Sequence, residues 1–132
     1  MKTLINNTIV PTVVLLGFAL FCGTIKAYDF IPSNQAFKPT LKGNFITIDI
    51  ADGYYLYQNK ISLHTPSGPM QFNFLNNPIV KTFPNQGTYK VYLDQAKLKV
   101  NTSTKQPITL HYQGCSSQGL CYPPQKITFK AM

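Results

Sequence analysis

The chain has 132 residues, is 44% hydrophobic and 12% charged, and carries a formal charge of +8. Its cations are all lysines and its 4 acids all aspartates, so the arginine forks that grip phosphate and guanine are missing and nucleic acid drops out as an expected partner. Lysines spread singly along the chain read as solvation of strand edges, with a weak general attraction to anionic partners or lipid surfaces.

Residues 1–27 open with Lys2 and continue into the apolar run from Ile9 to Gly23, the pattern of a secretory signal peptide. That run is shorter than the roughly 20 residues of a membrane-spanning helix. Cleavage is expected after Ala27, although Ile25 stands where a small side chain is favoured, which leaves an uncleaved inner-membrane anchor as the alternative. Phe21 is too bulky to precede a lipidated Cys22. The remainder, 28–132, shows neither repeat nor linker and is expected to form one domain.

From Tyr28 to Lys42, Pro32 and Pro39 discourage a regular element, with Phe37 expected to reach the core. Phe45–Ile50 then gives the clearest strand: Ile46, Ile48 and Ile50 fall on one face, Thr47 and Asp49 on the other. Ala51-Asp52-Gly53 turns the chain into Tyr54–Tyr57, where Tyr55 and Tyr57 share a face by the two-residue period. Lys60–Leu63 resumes extended structure, Thr65–Pro69 is a turn cluster, and Gln71–Phe74 is a short strand broken by Asn76-Asn77-Pro78. Lys81–Gly87 reads as a loop holding one large apolar residue, Phe83. Strands follow at Tyr89–Leu93 and Ala96–Val100. Seven or so short strands with regular turn signals and no amphipathic helix predict an all-β sandwich.

The last third contains the chemistry. Ile108–Tyr112 and Ile127–Lys130 alternate apolar and polar residues around the loop that carries Cys115 and Cys121, which predicts a β-hairpin. Directly opposed antiparallel residues have Cα atoms about 4.5 Å apart, within the range of about 4.4 to 6.8 Å that a disulfide spans. Closing so short a loop contributes only about 2 kcal/mol. Two readings stay open on spacing alone: an inert staple, the commoner case in small exported β-domains, or a redox-active pair. The spacing is not the CxxC of thioredoxin-like proteins. His64 and His111 complete no recognisable zinc pattern with the two thiols, so neither metal nor cofactor is expected.

Two separated motifs, Asp52-Gly53-Tyr54-Tyr55-Leu56-Tyr57 and Tyr112-Gln113-Gly114-Cys115 with Leu120-Cys121-Tyr122-Pro123-Pro124, resemble the N-terminal periplasmic domain of the bacterial thiol:disulfide interchange protein DsbD. The resemblance covers nearly all of 28–132, including Asn34-Gln35-Ala36-Phe37. It implies an immunoglobulin-like β-sandwich in the periplasm whose Cys115 and Cys121 cycle between dithiol and disulfide. Cys121 would exchange first with a partner and Cys115 would resolve the mixed disulfide.

The resemblance also implies thioredoxin-like partners: an electron-donor domain, a DsbC-like isomerase and a thioredoxin-like protein of cytochrome c maturation. Family members continue into a membrane domain, so a membrane redox partner is expected on a separate chain or in a longer product. By position Phe83 matches the aromatic tip of a loop that caps the cysteines, but Lys81 and Thr82 replace the acidic residues usual before it. Tyr55 and Tyr57 match aromatics that lie near the cysteines, and Tyr122, next to Cys121, is expected to line the site with them and, with Pro123-Pro124, to stiffen the loop exit. The competing reading is a non-enzymatic immunoglobulin-like protein-binding domain with an inert disulfide.

Overall fold

The computed structural model describes residues 30–101 and 104–130. The expected signal segment, 1–27, lies outside the described residues. One helical turn, α1 (Ser33–Ala36), precedes β1 (Phe37–Lys42), β2 (Phe45–Ile50) and β3 (Tyr54–Tyr57). After a 3-10 turn at Gln58–Lys60 come β4 (Ser62–Thr65), β5 (Gly68–Met70), β6 (Phe72–Phe74), β7 (Ile79–Phe83), β8 (Gly87–Tyr92) and β9 (Gln95–Val100). The described chain ends with β10 (Ile108–Tyr112), β11 (Gly114–Ser116) and β12 (Gln125–Phe129).

These strands form three four-stranded hydrogen-bonded sheets, in the orders β1-β2-β9-β6, β12-β10-β4-β5 and β11-β3-β8-β7. The period-two pattern of β2 buries Ile46, Ile48 and Ile50, and Leu98 of β9, Leu63 of β4 and Leu110 of β10 join them in one core cluster. A β-sandwich results, all-β apart from its short helical turns. Phe37 is fully buried and meets Tyr54, Tyr112 and Tyr122 edge-on, with ring centroids 6.2, 6.0 and 5.9 Å away. Edge-to-face geometry sets the positive rim of one ring against the negative face of another.

Two segments expected to be irregular are strands. Pro39 sits inside β1, opposite Ile48, and β1 is an edge strand with β2 as its single partner. An edge needs hydrogen bonds on one side only, which is how a proline is accommodated there. The supposed loop at Lys81–Gly87 is a β-hairpin whose first arm, β7, already begins at Ile79. Its turn, Phe83-Pro84-Asn85-Gln86, closes by donation from the Gln86 N–H to the Phe83 carbonyl at 3.2 Å. Pro84 takes the second position and Asn85, at φ 64°, the third, as a type II turn requires. The arms are tied by a 2.9 Å hydroxyl contact between Thr82 and Thr88.

The predicted hairpin at the C-terminal end is present, with Ile108 opposite Phe129 and Tyr112 opposite Gln125. Its chain leaves the second sheet at Gln113 and enters the third at Gly114, so β11 pairs with β3 instead of continuing along β12. The Gln113 carbonyl accepts from the Tyr57 N–H at 3.1 Å, which pins this crossing point to β3.

On the second sheet, His64 and His111 stack edge to face with ring centroids 4.7 Å apart. Burial holds the His111 imidazole below its ordinary pKa, and the neighbouring His64 and Lys126 push the same way. The unfolded chain therefore takes up a proton near the ordinary histidine value of about 6.5 that the folded chain refuses. That stabilisation is present above this pH and is lost as pH falls through it. Urea denaturation from about pH 7 to pH 5 should show the midpoint falling, and His111→Gln should flatten that fall; an identical slope in the variant rules out His111 as its source.

Candidate functional site

β11 is three residues long and in register with β3: Gly114 opposite Leu56, Cys115 opposite Tyr55, Ser116 opposite Tyr54. Beyond it the chain reverses tightly. The Gly119 N–H donates to the Ser116 carbonyl at 3.0 Å, and the Ser116 N–H to the Leu120 carbonyl at 2.6 Å. Gly119 supplies the left-handed φ of 103° that the reversal needs. The Ser117 N–H donates to the Gly53 carbonyl at 2.7 Å, which fastens the loop tip to the turn before β3. Cys121 thus returns antiparallel to Cys115, and the two are joined by a disulfide with Cα atoms 4.0 Å apart.

Gly114 makes this register feasible. A Cβ there would run into the ring of Phe37 and the carbonyl of Tyr55, so only glycine lets β11 lie this close to β3. The preceding sheet switch and the following cysteine both depend on that approach.

The two ends of the disulfide differ. Cys115 has 0% exposure, whereas Cys121 is exposed at the sheet edge. Around Cys115 gather Tyr55, Val91, Tyr57, Phe83 and Tyr89, a cluster separate from the main core. Phe83 lies 5.4 Å from Tyr55, 6.4 Å from Tyr57 and 6.1 Å from Tyr89 by ring centroids. The Tyr57 hydroxyl is 3.5 Å from Cys115 Sγ. A disulfide sulfur carries no proton, so the tyrosine O–H is the donor. Burial, reinforced by the Tyr57 hydroxyl, pushes the Tyr55 pKa above its ordinary value, so Tyr55 stays neutral. The Lys81 ammonium stands 5.1 Å from the Tyr55 ring centroid and 5.4 Å from that of Phe83.

A cleft of about 220 Å³ opens beside the bond, lined by both cysteines with Tyr57, Asn59, Lys60, Gln86, Tyr89 and Gln113. A larger hollow of about 490 Å³ lies at the opposite end of β10 and β12, among Leu41, Val100, Ile108 and Phe129. Among the described residues its lining holds no sulfur, acid or histidine and includes neither cysteine. Among the described residues no group of three or more His, Cys, Asp or Glu side chains is placed to hold a metal ion.

Residues 27–132 match the family described as thiol:disulfide interchange protein DsbD, N-terminal. The chain belongs to this family. Relatives include DsbD 1 of Pseudomonas aeruginosa, 30% identical over 81% of this chain and 20% of the relative, and DsbD of Escherichia coli, 30% identical over 86% of this chain and 22% of the relative. The chain therefore spans about a fifth of the length of the curated relatives it matches.

Among solved structures, the reduced DsbD N-terminal domain of Neisseria meningitidis superposes with a TM-score of 0.62 at 32% identity, covering 75% of this chain and 86% of that one. The same domain in complex with the PilB N-terminal domain gives 0.62 at 34% identity, covering 78% and 88%. The protein is thus a DsbD-like domain that corresponds to the periplasmic N-terminal region of those proteins and carries a disulfide suited to thiol exchange.

Of the residues singled out from sequence, this DsbD-type fold brings Cys115, Cys121, Tyr55, Tyr57 and Phe83 together. Tyr122 is carried elsewhere. Adjacent strand residues point to opposite faces, so with Cys121 at the disulfide Tyr122 turns into the main core, between Phe37 and Tyr54. Its hydroxyl donates to the Ile31 carbonyl, and burial, with Tyr54 beside it, pushes its pKa up to about 12. Tyr89 and Lys81 were not singled out as site residues. They become neighbours of the site through the β7–β8 register, in which Lys81 faces Tyr89. A reading of 81–87 as loop hides that pairing.

Gly114→Ala should destabilise the oxidised domain by about 1–3 kcal/mol, the usual range for forcing extra volume into a packed site. Urea unfolding is the measurement, and an unchanged midpoint would show that β11 can draw back from β3 without penalty.

Proposed function

We propose that Cys115 and Cys121 form a reversible dithiol–disulfide pair that passes reducing equivalents between thioredoxin-like partners in the periplasm. The observation that carries this reading is the asymmetry of the bond: Cys121 is exposed beside an open cleft, while Cys115, at 0% exposure, is packed into the cluster of Tyr55, Val91, Tyr57, Phe83 and Tyr89. Exchange requires in-line approach of one sulfur to another. Cys121 is the end that admits it.

In the oxidised domain, a partner thiolate attacks Cys121 Sγ. The Cys115–Cys121 bond breaks and its electron pair leaves on Cys115 sulfur, giving a mixed disulfide. The partner's second thiolate then displaces Cys121, so that the domain ends as a dithiol and the partner as a disulfide. Electrons move onward by the reverse sequence, in which the Cys121 thiolate attacks an oxidised partner and Cys115 resolves the product. The Tyr57 hydroxyl, already directed at Cys115 Sγ, is placed to stabilise charge that develops there. Phe83 acts as the cover on the Cys115 side and moves aside when a partner docks.

Docking by a separate periplasmic domain is supported by the Neisseria complex with PilB. By family resemblance the partners are a thioredoxin-like electron donor, a DsbC-like isomerase and a thioredoxin-like protein of cytochrome c maturation, with a membrane redox component on a separate chain or in a longer product. Residues 1–27 serve as the export signal and 28–132 as the exchange domain.

Single-cysteine variants, each also carrying Cys22→Ala, test the assignment. Cys115→Ala leaves Cys121 free and should accumulate a covalent complex with a thioredoxin-like partner, while Cys121→Ala should accumulate none. The wild-type disulfide should have a reduction potential above about −300 mV, the region of labile bonds. A more negative potential, together with no complex from either variant, identifies an inert staple.

A further inference from the structure

We propose that Lys81 is a positioning residue that latches the aromatic cover shut over Cys115, an inference that rests on the exchange function proposed above. Lys81 and Phe83 are the half-buried members of β7, whose burial alternates with exposed Val80 and Thr82, so both side chains reach toward the site. β7 is an edge strand that pairs only with β8. Its hold on the disulfide region comes from side chains: Phe83 against Tyr55, Tyr57 and Tyr89, and the Lys81 ammonium over the rings of Tyr55 and Phe83. Both ammonium distances fall within the roughly 6 Å at which a cation is drawn to the negative face of an aromatic ring.

Tyr55 is the fixed side of the latch, since it is buried at 4% exposure on β3 directly opposite Cys115. Lys81 belongs to the moving side. Peeling the hairpin tip away to uncover Cys115 separates the ammonium from the Tyr55 face. Asp52 and Asp94 line the hollow that Lys81 shares with Tyr55, so the closed arrangement also keeps the ammonium on the side of the two carboxylates. In this arrangement the ammonium's hold on the fixed Tyr55 ring limits how often Phe83 lifts, and with it how often Cys115 meets a foreign thiol.

Alkylation of reduced Cys115 in the full chain carrying Cys22→Ala and Cys121→Ala, which leaves Cys115 as the one thiol, reports cover opening without any partner. The rate should be expressed per thiolate, with the thiolate fraction read by ultraviolet absorbance, so that the charge of Lys81 does not enter through thiol ionisation. Lys81→Met, which keeps the stem and removes the charge, should raise that rate about two- to fivefold, the scale of the one partly exposed cation–ring contact, to Tyr55, that opening breaks. Lys81→Arg should remain within about twofold of the parent. Phe83→Ala should accelerate the reaction more than Lys81→Met does.

If Phe83→Ala accelerates alkylation but Lys81→Met does not, or if Lys81→Arg opens as readily as Lys81→Met, the latch is overturned while the cover and the exchange reading stand. If Phe83→Ala also leaves the rate unchanged, there is no cover to latch and the proposal fails with it. The trapping experiment on the single-cysteine variants decides the exchange function separately.

Discussion

The three-residue pairing of Gly114–Ser116 with Tyr54–Leu56 is the constraint on which the site depends. It moves the chain out of the sheet that holds β10 and β12 and lays Cys115 directly across from Tyr55. A bare Cα at position 114, pressed against Phe37 and the Tyr55 carbonyl, makes that approach feasible. Cys121 then needs only a short reversal to come alongside, held by the Tyr122 N–H donating to the Gly114 carbonyl at 3.0 Å. The disulfide is thus placed by backbone pairing on one flank and by a tight loop on the other.

Much of this was legible in the residue pattern because buried strands obey a simple period. Ile46, Ile48 and Ile50 announce β2 by alternation, and the tyrosines at 54, 55 and 57 announce β3 through their β propensity. The opposition of Cys115 and Cys121 follows from two alternating runs around a short polar loop. What escaped the pattern lies at sheet edges. β1 contains Pro39 and β7 runs into Pro84 and Asn85, and such residues normally argue against a strand. An edge strand satisfies hydrogen bonds on one side only and tolerates them. Misreading β7 as loop also concealed the cross-strand meeting of Lys81 with Tyr89. Tyr122 illustrates a different limit: sequence adjacency to Cys121 suggested a shared environment, but alternation sends neighbouring side chains to opposite faces.

The aromatic residues divide between two tasks according to the face they occupy. Tyr54, Tyr112 and Tyr122 pack on Phe37 within the main core, and the hydroxyls of Tyr54 and Tyr122 grip the backbone of Ile31. Tyr55, Tyr57, Tyr89 and Phe83 form the second cluster around Cys115. Within β3, successive residues therefore serve different clusters, with Tyr54 and Leu56 committed to the core and Tyr55 and Tyr57 to the sulfur. The strand is the partition between a permanent interior and a reactive pocket.

That partition has a consequence for energetics. The cysteines are only six positions apart in the chain, so opening their bond releases little extra disorder in the unfolded ensemble. The hydrophobic interior built on Ile46, Ile48, Leu63, Leu98 and Leu110 contains neither sulfur. Opening the bond therefore removes about 2 kcal/mol of folding free energy and leaves that interior in place. For the exchange proposed above, so small a coupling means that each reduction loosens a surface loop and leaves the scaffold standing.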